Sequence, residues 1–223
     1  MGSTRDRFEP FLARVIRTRY PDVEVLLTAA FDAYDAIVEA GAVTPDLLAP
    51  IVASVESSRR PVYENTVDLL RRLSENHGAA LAAIEKLARD RRAHVRFNAI
   101  LCLGKETPGD FTLSILRAGL RDKSARVRQK AADWAGRLRS RDMVPDLAEA
   151  SKVEADPKTR ETIEFELRLL RDGYIIEPAE DGVFSITTHS RSGVRGCHVT
   201  QATLEQRGIE AIVAELAAPR AWE

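Results

Sequence analysis

Residues 93–100 read Ala-His-Val-Arg-Phe-Asn-Ala-Ile, and residues 125–132 read Ala-Arg-Val-Arg-Gln-Lys-Ala-Ala. In both stretches, Val-Arg begins two residues after the first alanine, and another alanine follows three residues after the arginine. The two stretches begin 32 residues apart. Val62 lies 33 residues before the first of these valines, and Arg160 lies 32 residues after the second arginine. A fixed period of this length predicts stacked pairs of helices.

Apolar residues at helical spacing predict four helical pairs between residues 45 and 172, preceded by one pair over residues 4–41. Pro45 and Pro61 stand where a first helical turn accepts proline, so each is expected to begin a helix. The partner helices of the repeated stretches are predicted at residues 78–89, 110–120 and 142–152.

The pattern changes after Gly173, where short runs of β-favouring residues are separated by turn sequences at Asp181-Gly182 and at residues 190–193. These runs predict a small sheet. Thr200 or Thr203 is expected to cap a final helix. The apolar stripe of that helix comprises Ile209, Ile212, Val213 and Leu216.

The predicted fold class is therefore mostly α, an α-solenoid of helical pairs with a small α/β appendage at its C-terminal end. Residues 1–44 form an N-terminal helical pair, residues 45–173 form the repeat array, and residues 174–223 form a β-rich tail with a helix. We expect this tail to cover the apolar face that a terminal repeat exposes.

Composition excludes several classes of protein. No apolar run approaches the roughly 18 residues that a membrane span needs, and the first ten residues lack the apolar core of a signal peptide, so a cytoplasmic location and no membrane partner are expected. The two cysteines, Cys102 and Cys197, lie far apart in the sequence and support no disulfide framework.

The repeated Val-Arg core and the aspartate upstream of it resemble the HEAT repeat, a member of the armadillo-like α-solenoids. Asp90 precedes Arg96 by six residues, and Asp122 precedes Arg128 by six. The resemblance implies a ladder of charge-assisted hydrogen bonds between successive repeats, with Asp90, Arg96, Asp122 and Arg128 in structural roles. In the last pair, Asp156 precedes Arg160 by four residues.

HEAT arrays mostly bind other proteins, so the resemblance implies a non-enzymatic scaffold for protein–protein interaction. No catalytic constellation, cofactor motif or small-molecule site is visible in the sequence, and no cofactor is expected. Alkylpurine DNA glycosylases share a HEAT-like architecture, but they combine aromatic residues with a carboxylate. Here Trp134 and the adjacent Asp133 point about 100° apart on a helix, and Trp222 is near the C-terminus.

Charge is uneven along the chain and leaves a second function open. The net charge is −3 over residues 1–84, +9 over residues 85–141 and −7 over residues 142–223. A helical wheel places Arg126, Lys130, Arg137 and Arg141 on one flank of a helix as candidate partner-binding residues. Such a stripe could meet nucleic-acid phosphates, an acidic protein or the acidic tail.

A metal site is the last alternative that the residues suggest. His189, Cys197 and His198 lie close in sequence, but they form no Cys-x-x-Cys or spaced histidine pair. Neighbouring residues of a strand also point to opposite faces, which separates Cys197 from His198. The sequence therefore predicts no metal site.

Overall fold

The computed structural model describes residues 3–190 and 193–219, and over these residues the protein is mostly helical with a three-stranded antiparallel sheet near its C-terminal end. The predominance of helix and the predicted sheet are confirmed. Trp222 and residues 191 and 192 of the predicted turn lie outside the described residues. No described helix combines the length and the apolar character needed to cross a membrane.

The chain divides into two compact units, Met1–Lys130 and Ala131–Glu223, and the division falls within a helix. The three segments predicted from sequence have other boundaries and stay a prediction. The helices of the first unit, the last of which continues into the second, are α1 (Thr4–Phe11), α2 (Arg17–Arg19), α3 (Glu24–Ala40), α4 (Pro45–Val55), α5 (Arg60–Ser74), α6 (Gly78–Ala88), α7 (Ala93–Leu101), α8 (Gly109–Leu120) and α9 (Ala125–Arg137).

The start of the first unit is less regular than its apolar spacing suggests. A π-helical turn, Leu12–Ile16, joins α1 to α2, and a 3-10 turn, Pro21–Val23, precedes α3. The Phe8 and Phe31 rings stack with centroids 4.7 Å apart. Val38, which its spacing places in the apolar stripe of α3, is 60% exposed, because the buried stripe of that helix ends at Ile37.

Each of the following helices in the first unit contacts the next one along the chain, from α3 to α8. Their starts follow the cues in the sequence: Thr44 caps α4 through a hydrogen bond from Leu47 N–H, and proline occupies the first turn of α4 and of α5. The core of these helices is aliphatic, with fully buried Ile51, Leu70, Ile84, Ile100 and Leu116.

The second unit contains a 3-10 turn, Arg141–Met143, two long helices, the sheet and two short helices. The elements are α10 (Val144–Val153), α11 (Pro157–Asp172), β1 (Tyr174–Pro178), β2 (Val183–Ser190), β3 (Gly193–Thr200), α12 (Gln201–Arg207) and α13 (Ile209–Ala217). The strand order is β1-β2-β3, with Ile176 opposite Ile186 and Ile186 opposite Cys197.

The sheet is held between helices of its own unit. Helix α11 contacts β1 and β2, and α13 contacts β2 and β3. Thr200 caps α12, and Gly208, at a φ of 74°, ends it before α13 begins, so the single predicted helix is two helices. Ile212 of α13 is 3% exposed and supplies the apolar contact.

Candidate functional site

Arg96 joins two turns of the first unit. Its guanidinium donates to both carboxylate oxygens of Asp122, at 2.6 Å to Oδ2 and 2.8 Å to Oδ1, and to the backbone carbonyl of Asp90 at 2.7 Å. The two side chains are only 11% and 9% exposed. Burial alone would raise the pKa of Asp122, but the hydrogen bonds from Arg96 and from Ser124 N–H outweigh it, so the pKa is lowered.

The same hydrogen bond recurs every 32 residues. In each case an arginine donates to the backbone carbonyl of the acidic residue six positions earlier, and the carboxylate of that residue accepts the N–H two positions later. The arginine bonds are Arg96 to Asp90, Arg128 to Asp122 at 2.7 Å and Arg160 to Glu154. The carboxylate bonds run from the N–H of Arg92, Ser124 and Asp156.

The side chain of Asp90 has a different partner from its carbonyl. Its carboxylate accepts hydrogen bonds from Arg92, which lowers the pKa of Asp90 to about 2. Arg92 also donates to Glu56, at 2.7 Å, and so connects two helix-end turns 34 residues apart. In the last pair, Asp156 does not occupy the position equivalent to Asp90 and instead caps α11 through Thr159 N–H.

Two of the four basic residues singled out from sequence lie over one aromatic ring. The guanidinium carbon of Arg126 is 4.5 Å from the centroid of the Phe97 ring, and Lys130 Nζ is 5.4 Å from it. Tyr63 of α5 meets the same ring edge-on, with centroids 6.5 Å apart. A cation over the ring face is attracted by its quadrupole, so Phe97 positions both charges.

The other two basic residues lie in the second unit and have other surroundings. The guanidinium of Arg137 lies 5.2 Å from the Trp134 ring centroid, and its Nε donates to Asp133 at 3.1 Å. Arg141 begins the 3-10 turn and is exposed. Trp134 lies within about 40° of Val127 on a helical wheel, a position that predicts burial, but it is only half-buried.

Glu166 is a buried carboxyl that the sequence analysis does not single out. It lies in α11 with 5% of its surface exposed, and Gly136 of α9 makes room for it: a Cβ on that glycine would stand 1.8 Å from Glu166 Oε2. Burial, reinforced by the charge of Asp133, raises the pKa of Glu166 to about 8. The carboxyl is therefore largely protonated at neutral pH.

His189 of β2 faces this carboxyl. Its Nε2 lies 3.8 Å from Glu166 Oε2, which is beyond hydrogen-bonding distance, and neither atom has a hydrogen-bond partner among the described residues. Burial and the positive charge of Arg139 lower the pKa of His189, so a neutral imidazole stands beside a neutral carboxyl at pH 7. An acid–base catalyst has to reach its substrate, and these buried atoms do not.

Among the described residues, neither a cluster of metal-binding side chains nor the cavity beside α11 identifies a ligand. Across residues 3–190 and 193–219, no cluster of three or more His, Cys, Asp or Glu side chains could hold a metal ion. A cavity of about 330 Å³ lies beside α11 and β1, where Arg168 pairs with Glu177 at 2.6 Å and Phe165 lines the wall. Because the cavity is lined by both positive and negative side chains, its charge favours neither an anionic nor a cationic ligand.

Comparison with known proteins adds no assignment: no model of a protein family matches the chain, and neither does any curated protein sequence. Two features of these sites were missed in the sequence analysis, the contact of Arg126 with Phe97 and the buried Glu166. Phe97 and Arg126 stand 29 positions apart, and no local spacing connects them. Glu166 does leave a signal, because it lies in the apolar stripe of Ile163 and Leu170 and because an isolated glycine, Gly136, interrupts α9.

Proposed function

We propose that this protein is a non-enzymatic binding scaffold, an α-solenoid of HEAT-like helical pairs whose partner is another protein. The recurring hydrogen bond from an arginine to the turn six residues earlier carries the proposal. It occurs at Arg96, Arg128 and Arg160, with the 32-residue period of the sequence. The corresponding helices α7, α9 and α11 begin at Ala93, Ala125 and Pro157, which have the same spacing.

The perturbed titratable groups support a scaffold over an enzyme. Asp90 and Asp122 have lowered pKa values because arginines that join turns of the backbone bind them. Glu166 and His189 are enclosed by their own unit. Perturbed groups in a catalytic site instead line a cleft that admits a substrate. The remaining charged surface of the helices is the part of the chain available to a partner, and extended surfaces of this kind are what repeat proteins use.

Affinity capture from the native cell, with and without nuclease, tests this proposal. A protein that remains bound after nuclease treatment, and that elutes in a fixed stoichiometry with the purified chain, is the expected result. Recovery of partners only while nucleic acid is present would contradict it.

Nucleic-acid binding is the second candidate, and the net charge of +9 over residues 85–141 favours it. If Arg126, Lys130, Arg137 and Arg141 contact phosphates, affinity for a generic duplex falls steeply with salt, and the slope decreases by about one for each phosphate contact removed. We expect weak duplex binding at physiological salt, because acidic residues such as Asp133 interrupt the basic segment. The Lys130→Glu, Arg137→Glu double variant tests this expectation. If the natural sequence binds the duplex tightly and the double variant does not, nucleic acid replaces protein as the favoured partner.

A further inference from the structure

At the surface around Phe97, an aromatic ring and not a carboxylate lies against an exposed positive charge. Arg126 is exposed and stacks on the Phe97 ring, and no described carboxylate forms an ion pair with it. Other arginines of the unit are paired, as Arg60 is with Glu64 at 2.8 Å and Arg96 with Asp122. The positive charge of Arg126 is therefore oriented by an aromatic ring and not neutralised by a neighbour.

A guanidinium that rests one face on a ring keeps its N–H edge available. That edge donates two parallel hydrogen bonds, which match the two oxygens of a carboxylate. Lys130 adds a second cationic group over the same ring. Phe97 is half-buried and Tyr63, which meets it edge-on, is 7% exposed, so the platform is fixed before any partner arrives. Preorganisation reduces the entropy lost on binding.

The surroundings limit what this surface accommodates. Helix α5 contributes Tyr63 to the platform, and its charged side chains are already engaged with one another. Its pairs are Arg60 with Glu64, Asp68 with both Arg71 and Arg72, and Arg71 with Glu75. Beside these paired charges, the guanidinium of Arg126 next to the Phe97 ring forms a short patch, which suits one or two carboxylates flanked by an apolar side chain.

A nucleic-acid strand requires a different surface. Binding without sequence preference relies on open aromatic faces for base stacking and on a row of cations that follows the phosphates. Here the face of Phe97 is covered by Arg126 and Lys130, and the adjoining helix presents paired charges. The local geometry therefore favours polypeptide over nucleic acid.

We infer that Phe97, Arg126 and Lys130 form a docking surface for an acidic segment of a partner protein, one in which a carboxylate stands next to an apolar side chain. The inference rests on the proposed binding function and adds to it the place and the chemistry of contact. The carboxylate bonds the guanidinium edge of Arg126, and the apolar side chain covers the exposed part of the Phe97 ring.

The test uses the complete chain and an array of twelve-residue peptides in which the numbers of glutamate and leucine vary. The best-binding peptide is then titrated by fluorescence anisotropy at low and physiological salt, beside a labelled twelve-nucleotide oligothymidine. We expect binding that requires both residue types and weakens by about tenfold or more in Arg126→Gln, since a charge-assisted bidentate contact is lost. Phe97→Leu should also weaken it.

Arg60→Gln is the matched control, because it removes one exposed positive charge from the same unit, and that charge is paired with Glu64 and lies over neither face of Phe97. Circular dichroism establishes that all variants are folded. Equal weakening in Arg60→Gln and Arg126→Gln would overturn the inference, as would tighter binding of the oligonucleotide than of any peptide, or no peptide binding at millimolar concentration. If a captured protein partner binds the natural sequence and Arg126→Gln equally well, the proposed function is supported but this surface is not the place of contact.

Discussion

Replacing Glu166 by glutamine should change how the stability of the second unit depends on pH. The folded carboxyl keeps its proton up to a pKa of about 8, whereas the ordinary value is 4.5. Between these two values the folded state holds a proton that the unfolded chain releases. The free energy of unfolding therefore falls by about 1.4 kcal/mol for each pH unit as pH rises through this window, and becomes level above pH 8.

The titration of His189 changes stability in the opposite direction, and it therefore limits the pH range in which the effect of Glu166 can be measured alone. Its pKa is lowered from 6.5, so below pH 6.5 the unfolded chain holds the extra proton and stability rises with pH. Above pH 6.5 both states have released this proton. Between pH 6.5 and pH 8, Glu166 is the one of these two groups whose protonation differs between the folded and unfolded states, and the loss of stability expected from it is about 2 kcal/mol.

Urea unfolding at four pH values across this range, followed by tryptophan fluorescence, measures the effect. Replacing Trp222 by phenylalanine in every protein leaves Trp134 as the single tryptophan, and Trp134 belongs to the second unit. Glu166→Gln should remove the slope, even if its unpaired amide lowers stability by a constant amount at every pH. Parallel slopes for the two proteins would refute the assignment of a raised pKa to Glu166.

Three further changes test the packing. Arg96→Ala should lower the free energy of unfolding by about 2 to 4 kcal/mol, because it leaves the buried Asp122 carboxylate without its donor. Gly136→Ala should cost about 1 to 3 kcal/mol through overpacking against Glu166, and the cost should shrink when Glu166 is also shortened to alanine. Ending the chain at Asp172 should expose apolar surface of α11 and promote aggregation, measured by light scattering.

Each of these has a control. Arg89→Ala removes an exposed arginine paired with Glu85 and should change stability by less than about 1 kcal/mol, so an equal loss in both arginine variants would contradict a special role for Arg96. Alanine at Gly109, where a Cβ meets nothing within 4 Å, is the control for Gly136. A shortened chain that stays monomeric and equally stable would show that the sheet is not needed to cover α11.

The sequence predicts the helices well because their signals are local. Prolines and the cap Thr44 mark the starts of α4 and α5, and the 32-residue period places α7 and α9 within a residue of where they begin. The recurring hydrogen bond is harder to read in the last repeat. Its acceptor at Glu154 is a backbone carbonyl, which every residue type possesses, so residue identity there carries little information.

The two candidate sites are harder to read because they depend on three-dimensional proximity. Nothing in the local spacing shows that Arg126 rests on Phe97, since helices α7 and α9 are separated by a complete further helix. Val38 of α3 is a related case, because its spacing from Phe31 and Tyr34 predicts burial and yet it is 60% exposed. Helical spacing gives the width of an apolar stripe only roughly, and the neighbouring helices decide which edge is covered.

The hydrogen bond that repeats every 32 residues also bears on how such a chain changes length over evolution. Removing residues 91–122 would join Asp90 to Lys123 and would leave Arg128 six positions after an aspartate and Ser124 two positions after it, as both are now. Both bonds of the turn could then form again with the new neighbour. A gene segment encoding 32 residues is thus a module that can be lost or duplicated at this turn without breaking its local bonding.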